Sequence, residues 1–271
     1  MTKIIQDIYI LLIGLCIGSF LNVVIYRIPE GISIVKPRSF CPKCKKEIKS
    51  SENIPLISWL INKGKCSFCG TNIHIRYPII ESLTAILFLV FSKSSPQFYN
   101  FNQNMFFENI FSWLFLSILL AISFIDLEHF WIPQTLIKFG FLSGIINLIV
   151  IGIIDNNIFA NYLFRGLIAS LLSYLIFEIL RLFAKKIYKR DALGKGDSKL
   201  VSMMALWLGP QGIFLGIGIA YVLAAFILLI LLQFKKIKKG QMIPFAPFLS
   251  IGGLTVWYFG NEFLLRFIYN I

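Results

Sequence analysis

Long runs of apolar residues recur along the whole chain and constrain its fold more than any other feature. A helix needs about 20 mostly apolar residues to cross the hydrocarbon core of a bilayer. Such runs begin at residue 4 and recur as far as residue 268, and only 14% of the 271 residues are charged. A soluble domain carries about 25% charged residues. The sequence therefore predicts an all-α, polytopic membrane protein.

Turn signals divide the apolar runs into about eight predicted transmembrane helices. Gly209-Pro210-Gln211-Gly212 interrupts one long run and separates a short sixth span from the seventh. The first run lacks an A-x-A-like cleavage site and is longer than a signal-peptide core, so we expect it to be retained. The predicted spans cover residues 4–28, 78–91, 110–125, 133–154, 162–184, 200–208, 213–234 and 244–268.

Basic residues give the chain a net charge of +13, and their distribution indicates topology. Of the 26 lysines and arginines, ten lie in residues 27–76, seven in 181–199 and four in 235–239. These segments separate apolar runs, as the positive-inside rule predicts for cytoplasmic loops. The predicted inner loops are residues 29–77, 126–132, 185–199 and 235–240, and the outer loops are 92–109, 155–161 and 209–212. We expect contact with anionic membrane lipids and no nucleic-acid partner.

Four of the five cysteines form two Cys-x-x-Cys pairs in the predicted cytoplasmic loop, residues 29–77. The pairs are Cys41 with Cys44 and Cys66 with Cys69. Their spacing is typical of a four-cysteine zinc ribbon, and cytoplasmic thiols stay reduced. Two disulfides in an outward-facing loop are the alternative. The zinc-ribbon interpretation predicts a structural zinc ion, because so small a loop with few large apolar residues needs a metal to fold.

Two aspartates border the predicted spans at the cytoplasmic side. Asp126 lies at the inner end of the third span, and Asp197 precedes the sixth in Gly194-Lys195-Gly196-Asp197. Two carboxylates that share a proton can activate a water for attack on a peptide carbonyl. Glycines beside an aspartate allow close backbone approach to a substrate strand. The alternative is that both aspartates cap helices at the interface.

Six ordered elements of the chain resemble one family, the bacterial prepilin peptidases. These type IV leader peptidases are membrane aspartic proteases of the GxGD type that also act as N-methyltransferases. The resemblance covers nearly the whole chain and divides it into a first helix (1–28), a four-cysteine loop associated with methylation (29–77) and a peptidase domain (78–271). The elements are Gly18 to Arg27, the two cysteine pairs, Arg76-Tyr77-Pro78 with Glu81, Ile125-Asp126-Leu127 with Ile132-Pro133, Gly194 to Leu200, and Ile243 to Phe248.

The resemblance implies that Asp126 and Asp197 are the catalytic pair. It implies a protein of the bacterial inner membrane with its active site at the cytoplasmic face. The substrates would be prepilins and pseudopilins, which lose a short basic leader and are then methylated at the new amino terminus from S-adenosylmethionine. Supporting roles are expected for Gly194, Lys195, Gly196, Asn22, Arg27, Arg76 and Glu81.

The chain departs from the family pattern at three positions. The family often has glycine where Lys195 stands, usually has glycine at Ala246, and frequently has an acid at Gln134. No glycine-rich S-adenosylmethionine fingerprint is recognisable, so methylation has less support than cleavage. Two alternatives remain: a non-catalytic assembly protein of a pilus or secretion system that docks through its zinc loop, and a transporter that relays protons through its acids.

Overall fold

The computed structural model describes residues 2–93, 105–154, 159–189, 194–238 and 241–269. The predicted outer loops at 92–109 and 155–161 therefore lie largely outside the described residues. Within the described part the chain is helical, and its extended structure is limited to two isolated β-bridges. The chain divides into two compact units, Met1–Lys93 and Ser94–Ile271.

The first unit consists of two long helices and the loop between them. Helix α1, Thr2–Arg27, packs along α3, Arg76–Ser92. The intervening loop holds a 3-10 turn, Ser50–Glu52, and a short helix α2, Ile57–Ile61. The α1–α3 contact is close because glycines of α1 face α3: a Cβ at Gly18 would stand 2.7 Å from the Cα of Glu81.

In the second unit the described residues form six helices around a buried aromatic core. They are α4 Met105–His129, α5 Gln134–Ile154, α6 Phe159–Tyr188, α7 Lys195–Gln233, α8 Ala246–Phe259 and α9 Asn261–Tyr269. Phe115 of α4 stacks on Trp207 of α7 with ring centroids 4.8 Å apart, and Trp257 of α8 completes the cluster. Indole N–H groups buried in this core find acceptors: Trp207 donates to the carbonyl of Gly140 and Trp257 to the hydroxyl of Ser112.

Among the residues that the structure describes, five helices are long and apolar enough to cross a membrane, namely α1, α4, α5, α6 and α7. The chain is therefore a multi-pass membrane protein, as predicted, whereas the count of eight spans stays a prediction. α6 leaves many large apolar side chains exposed, including Leu171, Leu175 and Ile179, as expected for a face in contact with lipid.

Two glycines determine where the last helices bend. Gly209 has φ 69° and ψ 179°, so α7 consists of two helical segments joined at the turn that the sequence predicted. The eighth span, predicted as one helix over 244–268, is instead divided. Gly260 has a φ of 77° and ends α8, and a separate helix α9 begins at Asn261. This backbone conformation, with ψ 159°, is open essentially to glycine alone, so Gly260 can end the helix where other residues would be strained.

Candidate functional site

The four paired cysteines lie together in the first unit. Their sulfur atoms are all within 4.8 Å of one another, and the Cys41 and Cys69 sulfurs are 3.9 Å apart. Tetrahedral zinc with Zn–S bonds of about 2.3 Å places its sulfur ligands about 3.8 Å apart. The donors therefore fit a metal ion in both type and spacing, and all four thiols are free rather than joined as disulfides.

The two cysteine pairs sit on backbone loops of the same design. In the first, the N–H of Cys41 donates to the carbonyl of Lys46, and the N–H of Lys45 donates back to Cys41. In the second, Cys66 donates to Thr71 and Gly70 donates to Cys66. Each loop is closed by a bridge, Phe40 with Glu47 and Lys65 with Asn72. This shared geometry brings the two pairs to one centre although 21 residues separate them.

The hydroxyl of Thr71, beside the four-cysteine cluster, favours the thiolate form of Cys69. Cys69 hydrogen bonds the side chain of Thr71 at 3.3 Å, and this contact lowers the pKa of the Cys69 thiol to about 6. A thiolate is the form that binds a metal.

Buried polar side chains of α1 and α3 hold the cysteine loop. The Arg27 guanidinium is 4% exposed and donates to the carbonyls of Ser33 and Arg38 at 2.9 and 3.1 Å. Glu81 of α3 accepts the N–H of Leu56 at 2.7 Å, and this hydrogen bond connects the loop to α3. These contacts place Arg27 and Glu81 as supports of the loop.

Two other predicted residues lie nearby in the first unit. Asn22 is buried and donates to the carbonyl of Tyr77 at 3.1 Å, and its Oδ1 has no hydrogen-bond partner within the described residues. The guanidinium of Arg76 lies over the ring of Tyr77, 5.2 Å from its centroid.

Asp126 and Asp197 are brought together in the second unit. Asp126 lies in the last turn of α4 and Asp197 in the first turn of α7. Asp126 is 6% exposed and Asp197 is 8% exposed, and the two carboxyl groups lie near enough for each to feel the charge of the other. Two buried carboxyl groups with like charges favour a state in which only one of them is ionised.

Backbone amides at two helix starts orient these carboxylates. Asp126 accepts the N–H of Ala246 at 3.0 Å, at the start of α8. Asp197 accepts the N–H of Gly194 at 3.1 Å, as an acid in the third position of a helix does in a capping box. Both aspartates therefore accept backbone N–H groups at helix starts, as the capping alternative expects. They also lie near each other, so capping does not exclude a catalytic pair.

The three residues before Asp197 have different surroundings. A Cβ at Gly194 would stand 2.8 Å from the Asp197 carboxylate, and one at Gly196 would stand 2.9 Å from the Cβ of Ile132. Gly196 therefore packs against the segment between α4 and α5. Lys195 is exposed.

Some contacts of this site were not predicted. The amide of Ala246 reaches Asp126 across 120 residues of sequence, and only the Ile243 to Phe248 element gave a signal for it. Glu178 and Arg181, three residues apart on α6, form an ion pair, and Glu178 also accepts the hydroxyl of Ser198 at 3.4 Å, directly beside Asp197 in the sequence. No local pattern indicates that contact, because α6 and α7 meet only in the folded protein.

Comparisons with known proteins agree with this architecture. Residues 12–94 match the Bacterial Peptidase A24 N-terminal domain, and residues 113–229 match the Type IV leader peptidase family. No solved structure matches the chain.

Relatives that carry the name prepilin leader peptidase/N-methyltransferase come from several bacteria. The one from Myxococcus xanthus is 36% identical over 74% of this chain, and the match spans 56% of that relative's length. The one from Stutzerimonas stutzeri is 30% identical over 95% of this chain and 92% of its own. The one from Pseudomonas aeruginosa is 32% identical over 93% of this chain and 90% of its own. The chain therefore belongs to the type IV leader peptidase family.

Proposed function

We propose that this chain is a membrane aspartic endopeptidase that removes the leader of prepilin-like proteins and N-methylates the new amino terminus. The observation that carries the proposal is the pairing of two buried aspartates, Asp126 and Asp197, at adjoining helix ends of the second unit. The family membership and the relatives' names support both activities.

In the proposed mechanism the two carboxyl groups hold one proton between them. One aspartate, ionised, takes a proton from the attacking water, and the other, protonated, donates a hydrogen bond to the scissile carbonyl. The amides of Ala246 and Gly194 hold the carboxylates in place for both steps. The pair titrates as a unit, so the two roles belong to the pair rather than to either residue.

The proposed location is the bacterial inner membrane, with the aspartates at the cytoplasmic face. The basic segments predicted to lie inside support this orientation. A substrate with a basic leader and an apolar helix presents its cleavage point at that interface. The proposed partners are prepilins, pseudopilins and the surrounding lipids.

The proposed metal is a structural zinc ion held by Cys41, Cys44, Cys66 and Cys69. Its role is to fold the loop, since thiolate-only zinc sites are closed to substrate. S-adenosylmethionine is the proposed methyl donor, and it supplies a methyl group that is already activated. The buried Glu81 carboxylate and the Oδ1 of Asn22, which has no hydrogen-bond partner among the described residues, give the first unit acceptors suited to the cationic groups of this donor.

The mechanism is tested by replacing each aspartate separately. Asp126→Asn and Asp197→Asn keep the side-chain shape but cannot share a proton, so each is expected to lower cleavage of a prepilin by more than about 1000-fold, within the range known for essential catalytic groups. Cleavage is measured with purified protein by mass spectrometry of the product's amino terminus. Glu128→Gln, an exposed change at the same helix end, is the control and keeps near-normal cleavage. Near-normal cleavage by either Asn variant contradicts the two-aspartate mechanism, and a non-catalytic assembly protein then becomes the better reading.

A further inference from the structure

The short helix α2, Ile57–Ile61, has an apolar face that the described chain leaves largely uncovered. Ile57, Leu60 and Ile61 are three and four residues apart, so they share one face of the helix. Their side chains are exposed, since the three residues are 51%, 58% and 73% accessible. A surface helix in an aqueous loop presents polar side chains on its outer face. The outer face of α2 is therefore suited to an environment other than water.

The opposite side of α2 packs on the second cysteine loop. The indole N–H of Trp59 donates to the carbonyl of Ile73 at 3.3 Å, and a Cβ at Gly64 would stand 2.9 Å from the Trp59 ring. Gly64 and Ile73 flank the pair Cys66 and Cys69, and the N–H of Ile73 donates to the carbonyl of Gly64. Helix α2 and the second cysteine loop therefore form one packed piece.

The contacts of Leu56, directly before α2, give the level of α2 along helix α1. The N–H of Leu56 donates to the carboxylate of Glu81 on α3. The Cα of Glu81 lies beside Gly18 of α1, where a Cβ would stand 2.7 Å away. Gly18 precedes the last residue of α1, Arg27, by about 13 Å along the helix axis. A helical side chain points back towards the amino terminus of its helix, so Leu56 lies between the level of Gly18 and the first turn of α3.

This level coincides with the edge of the hydrocarbon core of a bilayer. Helix α1 has 26 residues. It therefore measures about 39 Å, about 9 Å more than the thickness of a hydrocarbon core. Even if this whole excess extended out of the bilayer at the Arg27 end, a point about 13 Å from Arg27 would lie inside the core. The start of α2, between that point and the first turn of α3, is therefore at the boundary between headgroups and acyl chains.

The segment around α2 carries positive charge only. Residues 53–80 contain Lys63, Lys65 and Arg76 and no aspartate or glutamate. Lys63 and Lys65 follow α2 closely and are exposed. An apolar helix face bordered by basic residues is typical of a segment that lies in the membrane interface, where anionic headgroups attract the basic residues. This charge complementarity favours anionic lipid as the partner of the exposed face.

We propose that α2 is an interfacial membrane anchor, whose apolar face enters the boundary between headgroups and acyl chains while Lys63 and Lys65 bind the phosphates of anionic lipids. Through Trp59 the anchor holds the second cysteine loop at the bilayer surface. The loop over residues 29–77 is then partly embedded in the membrane. The anchor requires that α1 crosses the bilayer, and it does not depend on the proposed peptidase function.

The test measures the depth of α2 in full-length protein reconstituted into lipid nanodiscs. Leu60→Cys and Ile61→Cys, each combined with Cys16→Ala, are labelled with the fluorophore NBD, and the signal of the parent Cys16→Ala protein is subtracted. Quenching is recorded with phospholipids that carry a nitroxide near the headgroup end of an acyl chain. Lys49→Cys, an exposed position of the same loop, is the control, and Leu171→Cys on the exposed apolar face of α6 is the membrane reference. Because an interfacial helix is buried about 5–10 Å, we expect quenching at both α2 positions to exceed that at Lys49 by at least about 2-fold and to approach that at Leu171.

A second measurement tests the two lysines. Nanodiscs of phosphatidylcholine alone are compared with nanodiscs that also contain phosphatidylglycerol, using labelled Ile61→Cys with and without the changes Lys63→Gln and Lys65→Gln. Anionic lipid is expected to increase the quenching only when both lysines are present. High salt should remove this increase, because it screens charges that are exposed to solvent.

Three results would overturn the anchor. The first is quenching at Leu60 and Ile61 that does not exceed quenching at Lys49. The second is a label in an apolar environment that lipid quenchers do not reach, since protein rather than lipid would then cover the face. The third is equal quenching with and without anionic lipid, which contradicts the binding of lipid phosphates by Lys63 and Lys65. No substrate is used, so the peptidase function is tested separately by the aspartate variants.

Discussion

Gly196, directly before Asp197, allows the start of α7 to pack closely on Ile132. From the sequence, Gly194 and Gly196 were expected to let a substrate strand approach the aspartate. The structure places Gly196 against Ile132 and leaves no room for a Cβ. The start of α7 can therefore sit close to the segment that follows α4, and this closeness brings Asp197 to Asp126.

Gly196→Ala is predicted to impair cleavage by displacing the start of α7. The added Cβ would stand 2.9 Å from the Cβ of Ile132 and 3.1 and 3.2 Å from two further carbons of that side chain, so the helix end must move by several tenths of an ångström. Because a misplacement of 1 Å can cost about 100-fold in rate, we expect roughly a 10-fold loss of kcat/KM. The measurement is steady-state cleavage of a prepilin.

Gly218→Ala provides the matched comparison on the same helix. A Cβ at Gly218 meets nothing within 4 Å. This variant should cleave at the wild-type rate and unfold at an equal or higher temperature, because alanine is favoured over glycine in a helix by about 1 kcal/mol. Equal losses in the two variants would contradict the packing explanation.

At the scale of elements, the two cysteine loops differ in one informative way. Both need a left-handed residue directly after the second cysteine. The second loop has Gly70 there with φ 67°, whereas the first has Lys45 with φ 58°. A left-handed conformation costs a residue with a side chain about 1–2 kcal/mol. The first loop is therefore strained where the second is not.

Lys45→Gly is predicted to stabilise the metal loop. Relief of the left-handed strain outweighs the greater flexibility that glycine adds to the unfolded chain, so we expect a gain of about 0.5–1 kcal/mol. The gain should appear as slower zinc release to a chelator and a higher unfolding temperature of the full-length protein.

Lys46→Gly is the control for this change. Lys46 lies over the ring of Phe68 much as Lys45 lies over that of Phe40, at 5.1 and 5.4 Å, so both variants lose a comparable cation–π contact. Lys46 is not among the residues with positive φ, and glycine there should destabilise the loop. If Lys45→Gly releases zinc faster than the wild type, the strain argument is wrong.

At the scale of the whole molecule, the cysteine cluster and the paired carboxylates belong to different units. The cysteines and their supports lie in Met1–Lys93, and the hydrogen-bond partners of both aspartates lie in Ser94–Ile271. A structural metal in one unit is therefore not needed to orient the carboxylates of the other.

Loss of the metal is predicted to separate the two activities. Cys66→Ser, or treatment with a strong chelator, should unfold the cysteine loop and abolish methylation, because a tetrahedral site does not survive loss of one thiolate. Cleavage is expected to persist at a measurable rate. Metal analysis, leader cleavage and methyl transfer are measured on one preparation, and full activity in protein without zinc would contradict the structural role of the metal.

Orientation in the membrane is predicted from the basic loops and tested by cysteine labelling. An impermeant reagent applied from outside should not reach Lys49→Cys or Lys238→Cys, since both lie in predicted cytoplasmic loops. It should reach Ser95→Cys and Asn156→Cys, two positions outside the described residues. A background in which Cys16 is replaced removes the remaining native thiol in a span. Labelling of Lys49→Cys from outside would reverse the proposed topology.

The sequence by itself determined the class of the protein and most of its reactive groups. Apolar runs of membrane-spanning length predicted the multi-pass helices, Gly209-Pro210 predicted the break in α7, and cysteine spacing predicted the four-thiol cluster. Each of these is a local pattern, because helix formation, turns and knuckles depend on neighbours within a few residues. The ordered family elements indicated Asp126 and Asp197 together, a role that stays a prediction.

Tertiary structure alone decided which groups surround those residues. The amide of Ala246 reaches Asp126, the amide of Leu56 reaches Glu81, and the hydroxyl of Ser198 reaches Glu178. The end of α8 at Gly260 also departs from the single helix that its apolar run predicted. The physical reason is common to all of these. Hydropathy and spacing report how long an apolar stretch is, but the partner of a buried polar group is chosen by how helices pack, and packing depends on contacts between residues far apart in the chain.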